Sequence, residues 1–347
     1  MATEAEVEAM GLAISLAAHP ANPLGPNPRV GAVILDRDGR VIGEGAHHGR
    51  GTSHAEVAAL RSVADGGADG STAVVTLEPC NHTGRTGPCS AALIDAGVRR
   101  VVFAQDDLTP VASGGSARLR AAGVEVEAGV LAGEAAALNR EWTFAQTHGR
   151  PFVTWKFAAT LDGRSAAADG TSRWVSGPES RLDTHRERGR CDVVLVGTGT
   201  VLVDNPRLTV RDDNDVALPR EVQPLRAVMG LRDLPQSAAV LDEAAETLTL
   251  RTREPADALE QLYRLGNQHV WLEGGPTLAA EFMRAGLVDR VIAYVAPMLL
   301  GAGRSAVGDL GITTIADALR LRVLDVARLG DDVRLTLESI ASTEGTA

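Results

Sequence analysis

Four residues in this chain could do chemistry together: His54, Glu56, Cys80 and Cys89. One imidazole and two thiolates are a ligand set suited to Zn²⁺. Three protein ligands leave a fourth position open, as in catalytic zinc sites. Zinc lowers the pKa of water at such a position, and a nearby unligated Glu56 could carry protons to and from it. Each residue also has a plainer explanation. Ser53-x-x-Glu56 reads as a capping box opening the apolar run Val57-Ala58-Ala59-Leu60. Cys80 alone would more often be a small core residue, and His54 alone a satisfied histidine. The conjunction outweighs these, because the chain has only three cysteines and two fall in one short loop after a predicted strand.

The order His-x-Glu…Pro-Cys…Cys is the signature of zinc deaminases, with Glu as acid/base. The spacing departs from the usual Cys-x-x-Cys, since eight residues, Asn81 to Pro88, separate Cys80 from Cys89. That insert is rich in turn formers and can loop out, returning Cys89 to the metal while presenting His82 and Arg85 to an anionic group. A solvated loop cation is the alternative for Arg85.

These residues need elements to hold them. Apolar periodicity predicts a helix over 4–18, a hairpin of strands 29–35 and 40–45 around Asp36-Arg37-Asp38-Gly39, and a helix from His54. A strand at 72–77, a helix from Cys89, a strand at 99–104, a helix near 116–122 and a strand at 124–128 follow. One helix is expected over 131–146. Thr147-His148-Gly149-Arg150-Pro151 breaks the pattern, so two domains are expected, 1–147 and 150–342. In the second, strands are predicted at 152–157, 192–196, 226–229, 247–250, 269–272, 288–295 and 333–340, ahead of a disordered polar tail. The fold class is α/β, with the candidate ligands at helix starts after strands.

Composition bounds the partners. A chain of 347 residues, 44% hydrophobic, is long enough for two cores. Formal net charge of −11 gives no general footprint for nucleic acid, so a polynucleotide substrate is disfavoured. No segment has the apolar length of a spanning helix, and no secretory signal is visible after Met1. Few cysteines, two assigned to metal, fit a reducing cytoplasm. A second copy of the chain is a further candidate partner, which the residues neither require nor exclude.

The second half offers weaker signals. Gly197-Thr198-Gly199-Thr200 lacks the third glycine and ribose acid of a dinucleotide fingerprint. Glu273-Gly274-Gly275-Pro276-Thr277, between a strand and an apolar helix, is a better anion site, or an ordinary strand-to-helix turn.

Taken in order, the motifs resemble the bifunctional riboflavin-biosynthesis deaminase/reductase family over roughly residues 5–340. They are Asn27-Pro28-x-Val30-Gly31, His54-Ala55-Glu56 and Thr76-Leu77-Glu78-Pro79-Cys80-x-His82-x-Gly84-Arg85-Thr86…Cys89 in the first half. The second half carries Lys156-x-x-x-x-Leu161-Asp162-Gly163, Ser172-x-Trp174, Thr200-Val201-Leu202-x-Asp204-x-Pro206-x-Leu208-Thr209 and Glu273-x-Gly275-Pro276. The resemblance implies an N-terminal cytidine-deaminase-like domain and a C-terminal dihydrofolate-reductase-like domain, with Zn²⁺ and NADPH as cofactors. Its implied substrate is 2,5-diamino-6-(5-phosphoribosylamino)pyrimidin-4-one, deaminated first and then reduced from ribosyl to ribityl.

By the same resemblance Glu56 is the proton shuttle and His54, Cys80 and Cys89 the zinc ligands. Asn27, His47, His82 and Arg85 match positions near the pyrimidine or its phosphate, His47 over His48 on an ungapped reading. Ala158, Trp174, Thr200 and Asp204 match cofactor contacts. Gly275, Pro276, Thr277, Leu278, Ala279, Ala280 and Glu281 match the cradle for the NADP phosphates. Ser172, Arg188, Leu208, Arg211 and Glu273 match substrate contacts. Lys156 and Asp204 are candidates for polarising or protonating the opened sugar.

The chain departs from the family pattern at Thr86-Gly87-Pro88-Cys89, Asp107-Leu108-Thr109-Pro110 and Met298, none of them a zinc ligand or Glu56. The rival readings are a zinc deaminase of another base or nucleoside with a non-catalytic second domain, and a non-catalytic binding protein that keeps a zinc site. The long cysteine insert argues against the first, and the intact Glu56 against the second.

Overall fold

Strands that read as unbroken apolar runs are strands covered on both faces, and Thr72–Leu77, buried at all six positions, is the centre of the first sheet. The computed structural model describes residues 1–19, 27–49, 51–64, 67–82, 87–109 and 113–339. The chain divides into two compact units, Met1–Gly149 and Arg150–Ala347.

The first unit opens with helix α1 (Glu4–Ala18), whose capping box pairs Thr3 with Glu6. Strands β1 (Gly31–Leu35) and β2 (Val41–Ala46) form the hairpin. Then come α2 (Ala55–Ser62), β3 (Thr72–Leu77), α3 (Cys89–Asp95), β4 (Arg100–Gln105), α4 (Gly115–Ala121) and β5 (Glu125–Ala128). Sheet order is β2-β1-β3-β4-β5, with β3, β4 and β5 parallel. One core packs α2, α3 and α4 residues such as Ala59, Leu93 and Leu119 under the sheet, and the other packs α1 through Met10 and Ala13. At Gly45 a Cβ would come within 2.4 Å of the Ala55 carbonyl, so glycine is what lets α2 lie this close to β2.

Two local expectations differ from the structure. The helix expected over 131–146 is two helices, α5 (Ala132–Leu138) and α6 (Arg140–His148), broken at Asn139 with φ −112°. Asn139 leaves helical geometry because its amide clamps the backbone of Arg29: Arg29 N–H donates to Oδ1 and Nδ2 donates to the Arg29 carbonyl, both at 2.8 Å. The capping box read at Ser53 and Glu56 is not formed. Helix α2 has His54 as its N-cap with no side-chain cap bond, and Ser53 Oγ accepts from Arg61 instead.

The second unit contains β6 (Phe152–Thr160), β7 (Arg164–Ala166), α7 (Pro178–Arg188), β8 (Val193–Gly197), α8 (Thr198–Asp204), β9 (Leu225–Met229) and β10 (Thr247–Leu250). It continues with α9 (Pro255–Arg264), β11 (His269–Leu272), α10 (Pro276–Arg284), β12 (Arg290–Ala296), β13 (Arg304–Ser305), β14 (Leu321–Leu329) and β15 (Asp332–Ser339). The main sheet runs β10-β9-β8-β11-β6-β12-β15-β14; all its pairs are parallel except β12–β15 and β15–β14. β7 and β13 pair separately. Phe282 and Leu259 fill one face, Trp271 and Tyr294 the other. This sheet aims the carboxyl ends of β6, β8 and β11 at one edge, where ligands gather in parallel α/β sheets. Among the described residues no helix is long and apolar enough to cross a membrane. The tail expected to be disordered, 340–347, lies outside the described residues.

Candidate metal centre and reductase site

The carboxyl end of β3 and the amino ends of α2 and α3 bring the zinc candidates together. His54 caps α2, Cys80 follows β3 by three residues, and Cys89 opens α3. His54 Nδ1 lies 3.2 Å from Cys89 Sγ and 3.5 Å from Cys80 Sγ, and all three ligand atoms fall within 4.8 Å of one another. Tetrahedral zinc, with bonds of about 2.0–2.3 Å, sets its N and S ligands about 3.6 Å apart, so this cluster fits the ion. Cys89 N–H also donates to Cys80 Sγ at 3.4 Å, and Ser90 N–H to the Cys80 carbonyl at 3.2 Å. These bonds hold Cys80 against the start of α3; Thr83–Thr86 lie outside the described residues. Hydrogen bonding from Cys89 takes the Cys80 thiol down to about 4 against its burial, while Cys89 is pushed up as the partner that keeps the proton.

Glu56 sits in the first turn of α2, 4% exposed. Burial raises its carboxyl to about 7, with the Cys80 charge adding to the shift. A carboxyl poised there can both hold and release a proton near neutral pH.

Cys80 is pinned from behind by Glu78, read from the sequence only as part of a motif, and by Gly115. Glu78, 6% exposed, accepts the Ser116 N–H at 2.9 Å and the Asp107 N–H at 3.3 Å. A Cβ at Gly115 would come within 1.7 Å of the Pro79 carbonyl, so any side chain there would push the Glu78-Pro79-Cys80 turn aside.

His47 is buried at 7%, with its ring 5.5 Å from that of His54, whereas His48 is exposed. Desolvation lowers its pKa and keeps it neutral. The network then assigns the proton: His47 Nδ1 donates to the Ser53 carbonyl at 3.1 Å, and Nε2 accepts from Asn27 Nδ2 at 3.0 Å. Asn27 keeps its carbonyl oxygen for a ligand. His82 buries an Nδ1 with no partner among the described residues. Arg85 falls outside the described residues.

In the second unit Glu273, at the end of β11, is the charged centre. Arg188 Nε donates to Oε1 at 2.5 Å and Nη2 to Oε2 at 2.7 Å, while Trp271 Nε1 adds a bond to Oε1 at 2.6 Å. Burial alone would raise this carboxyl, but Arg188, then Lys156 and the indole N–H, hold it at about 2. Lys156 is on β6, with Nζ 5.7 Å from the Tyr294 ring centroid. Burial lowers its pKa, and Glu273 partly restores it. Lys156, in the middle of β6, and Glu273, one residue beyond β11, therefore act on each other through their charges across adjacent strands.

Leu208 is buried with a left-handed φ of +57° and turns the chain so that Thr209 and Arg211 approach α7. Arg211 Nη1 pairs with Asp215 at 2.9 Å. Ser172 and Trp174 lie on the loop before α7, Trp174 65% exposed with the Arg181 guanidinium 4.6 Å over its ring. Ala158 lies on β6 beside Tyr294 of β12.

The glycine turns after β8 and β11 meet as two helix starts. Thr200 Oγ1 on α8 is the nearest side-chain atom to the open space at Gly275, the N-cap of α10. Free N–H groups of both helix starts fit a phosphate-bearing cofactor. Pro276 and Thr277 are at this surface, and Leu278 fills the gap under Gly274. Ala279 and Ala280 point into the core at 0% and 3% exposure, and Glu281 pairs with Arg284, so these three would serve the cradle through backbone and helix position. Asp204 is exposed at the end of α8, its carbonyl accepting from Arg173 Nη2 at 2.7 Å.

Comparison with known proteins agrees with this two-site arrangement. The description "Cytidine and deoxycytidylate deaminase zinc-binding region" matches residues 3–105, and "RibD C-terminal domain" matches 151–335. The riboflavin biosynthesis protein RibD of Mycobacterium tuberculosis is 50% identical, covering 95% of this chain and 96% of that protein. The RibD of Aquifex aeolicus is 39% identical, covering 96% and 98%. Among solved structures, Acinetobacter baumannii RibD superposes with a TM-score of 0.89 at 36% identity, covering 97% of this chain and 99% of that one. A Thermotoga maritima diaminohydroxyphosphoribosylaminopyrimidine deaminase/5-amino-6-(5-phosphoribosylamino)uracil reductase gives 0.85 at 31%, covering 96% and 99%. With a cysteine–histidine cluster for zinc in a deaminase unit and a dihydrofolate-reductase-like NADPH unit following it in the sequence, the chain belongs to the RibD family of bifunctional riboflavin-biosynthesis enzymes.

Proposed function

We propose that the first unit deaminates 2,5-diamino-6-(5-phosphoribosylamino)pyrimidin-4-one at its 2-amino carbon, and that the second reduces the opened ribosyl chain to ribityl. The observation that carries this reading is the His54–Cys80–Cys89 cluster with buried Glu56 beside it. His54, Cys80 and Cys89 would hold Zn²⁺, which would supply an acidified water for attack on the amino-bearing ring carbon. Glu56 takes the proton from that water and returns it to the departing amine, which leaves as ammonia. Asn27, oriented by His47, and His82 hold the pyrimidine edge; Arg85 is the cation for its phosphate.

In the second unit Gly275, Pro276 and Thr277 beside Thr200 would hold the phosphates of NADPH, a cofactor that would supply hydride to C1′ of the opened ribosylamine, the imine carbon, so that the C–N bond is kept. Lys156 delivers a proton to the ring oxygen released as the C1′–O4′ bond breaks and the imine forms, and Glu273 keeps Lys156 charged enough to do so. Ser172, Leu208, Arg188 and Arg211 line the substrate side, while Ala158, Trp174 and Asp204 flank the cofactor. Arg188 reaches substrate through its outward N–H groups, because Nε and one Nη2 hydrogen are committed to Glu273.

The partner is thus a small phosphorylated pyrimidine. The acidic net charge of −11 suits no nucleic-acid role, and thiolate ligands suit a reducing cytoplasm. We also propose self-association through β14, an edge strand whose Val323, Leu324 and Val326 are exposed at 54%, 42% and 60%. Light scattering at micromolar protein is expected to give the mass of at least two chains, and a monomer rejects this.

The functional reading is tested by NADPH oxidation in the zinc-loaded full chain, started with the diaminopyrimidinone substrate. Oxidation that follows ammonia release is the expected result. Ammonia without oxidation leaves a deaminase with another second activity, and oxidation without ammonia reverses the proposed order.

A further inference from the structure

Helix α7 presents three basic side chains at positions i, i+4 and i+7, Arg181, His185 and Arg188, which share one helix face. Only Arg188 was singled out from the sequence. The other two face the loop that carries Thr209, Arg211 and Asp215, where Arg181 and His185 both act on the Asp215 carboxylate that Arg211 pairs with. Arg188 Nη1 donates to the Thr209 carbonyl at 3.0 Å, the same carbonyl faces His185, and Arg211 Nε reaches Thr209 Oγ1 at 3.5 Å. We propose that Arg181 and His185 join Arg188 and Arg211 in a seat for a phosphate monoester, the 5′-phosphate of the reductase substrate. The inference rests on the reading that Arg188 and Arg211 face that substrate.

The charges on every side of His185 support the seat. Arg188 and Glu273 lie toward the sheet, Arg211 and Asp215 on the facing loop, and Arg181 one turn back on α7. Three guanidinium groups against two carboxylates leave a positive excess in a protein whose net charge is −11. His185 Nδ1 is buried with no hydrogen-bond partner among the described residues, an arrangement that costs stability without a ligand. Burial, then the Arg188 charge, lowers its pKa to about 4, so it is neutral in the free protein. A phosphate dianion would replace repulsion by attraction and draw a proton onto the ring. Arg181 is already aligned, stacked on Trp174 and donating to the Ser176 carbonyl at 2.9 Å. That loop carries Ser172, so an anion held by Arg181 would also order a residue of the site.

The test uses the zinc-loaded full chain, pre-deaminated substrate, and inorganic phosphate as inhibitor of NADPH oxidation. Phosphate is expected to compete with the pyrimidine substrate. Each of His185→Gln and Arg181→Met should weaken its inhibition about ten-fold and raise the substrate KM more than it changes kcat. The second phosphate pKa lies near 6, so above about pH 7 any further loss of phosphate affinity belongs to the enzyme. The wild type should lose affinity from pH 7 to 8.5, and His185→Gln should not. Arg181→Lys, which keeps charge and loses the planar stack, should fall between wild type and Arg181→Met. Competition with NADPH instead would assign the seat to the cofactor's 2′-phosphate and overturn the substrate assignment. Inhibition abolished by Arg188→Lys but unmoved in the His185 and Arg181 variants would overturn this inference and leave the site reading standing. Wild-type activity insensitive to phosphate, with KM unchanged in all four arginine and histidine variants, would remove the site reading as well.

Discussion

Glu56→Gln is expected to lower ammonia release by about a thousand-fold, the scale of a lost general acid/base, while zinc stays near one ion per chain. The reason for separating the two readouts is geometric. The ligand atoms come from His54, Cys80 and Cys89, which lie within 4.8 Å of one another without Glu56. Glutamine keeps the length and a carbonyl oxygen but can neither accept nor return the water proton. Because Glu56 is 4% exposed, the neutral amide replaces a carboxyl whose ionisation burial already opposes, and folding should suffer little. Ammonia assay and metal analysis of the same sample decide it. Zinc loss would make Glu56 a ligand or a structural brace. NADPH oxidation with pre-deaminated substrate should persist, since Glu56 and Glu273 belong to different compact units.

The chemistry of the first site was legible because its parts are local and chemically rare. A histidine three residues before a predicted helix interior and two of only three cysteines announce themselves without a fold. What supports them was not legible. Asn139 breaks the helix expected over 131–146 through a clamp on Arg29, a partner 110 residues away. Ser53 and Glu56 match a capping box locally, yet the charge pattern that forms one is Thr3 and Glu6, because Glu56 is turned into the metal site. Strand β14 escaped notice since it is exposed along most of its length and so carries no alternation to read. The basic face of α7 was not read from the sequence, because the groups that Arg188 meets, Thr209 and Glu273, lie 21 and 85 residues away in the chain. Family resemblance supplied the reductase residues that periodicity could not, and the structure places Lys156, Arg188 and Glu273 around one buried charge.

Arg188→Met should destabilise the second unit by about 3 kcal/mol at pH 7, because removing one partner leaves a buried charge uncompensated. Arg188 and Glu273 side chains are 13% and 12% exposed, and two hydrogen bonds join them. Reductase activity should fall with it, since Glu273 would turn to Lys156 and that lysine would bind its counter-ion more tightly. The pH dependence separates a lost ion pair from a lost packing contact. Glu273 is held at about 2 in the folded protein against 4.5 as the ordinary value. A depressed carboxylate contributes stability above its unfolded pKa and loses it as pH falls through the folded one. The gap in melting temperature between wild type and Arg188→Met should therefore be full at pH 7 and close as pH falls from about 4.5 toward 2. His185 adds a separate limb: held neutral near pKa 4 against 6.5, it contributes stability above about 6.5 that is lost between there and 4. Arg188→Met relieves part of that shift too, so its own stability should fall less on acidification than the wild type's. A gap that stays constant from pH 7 to 3 would mean that the methionine disturbs packing alone, and that the Arg188–Glu273 pair carries no electrostatic share of the fold.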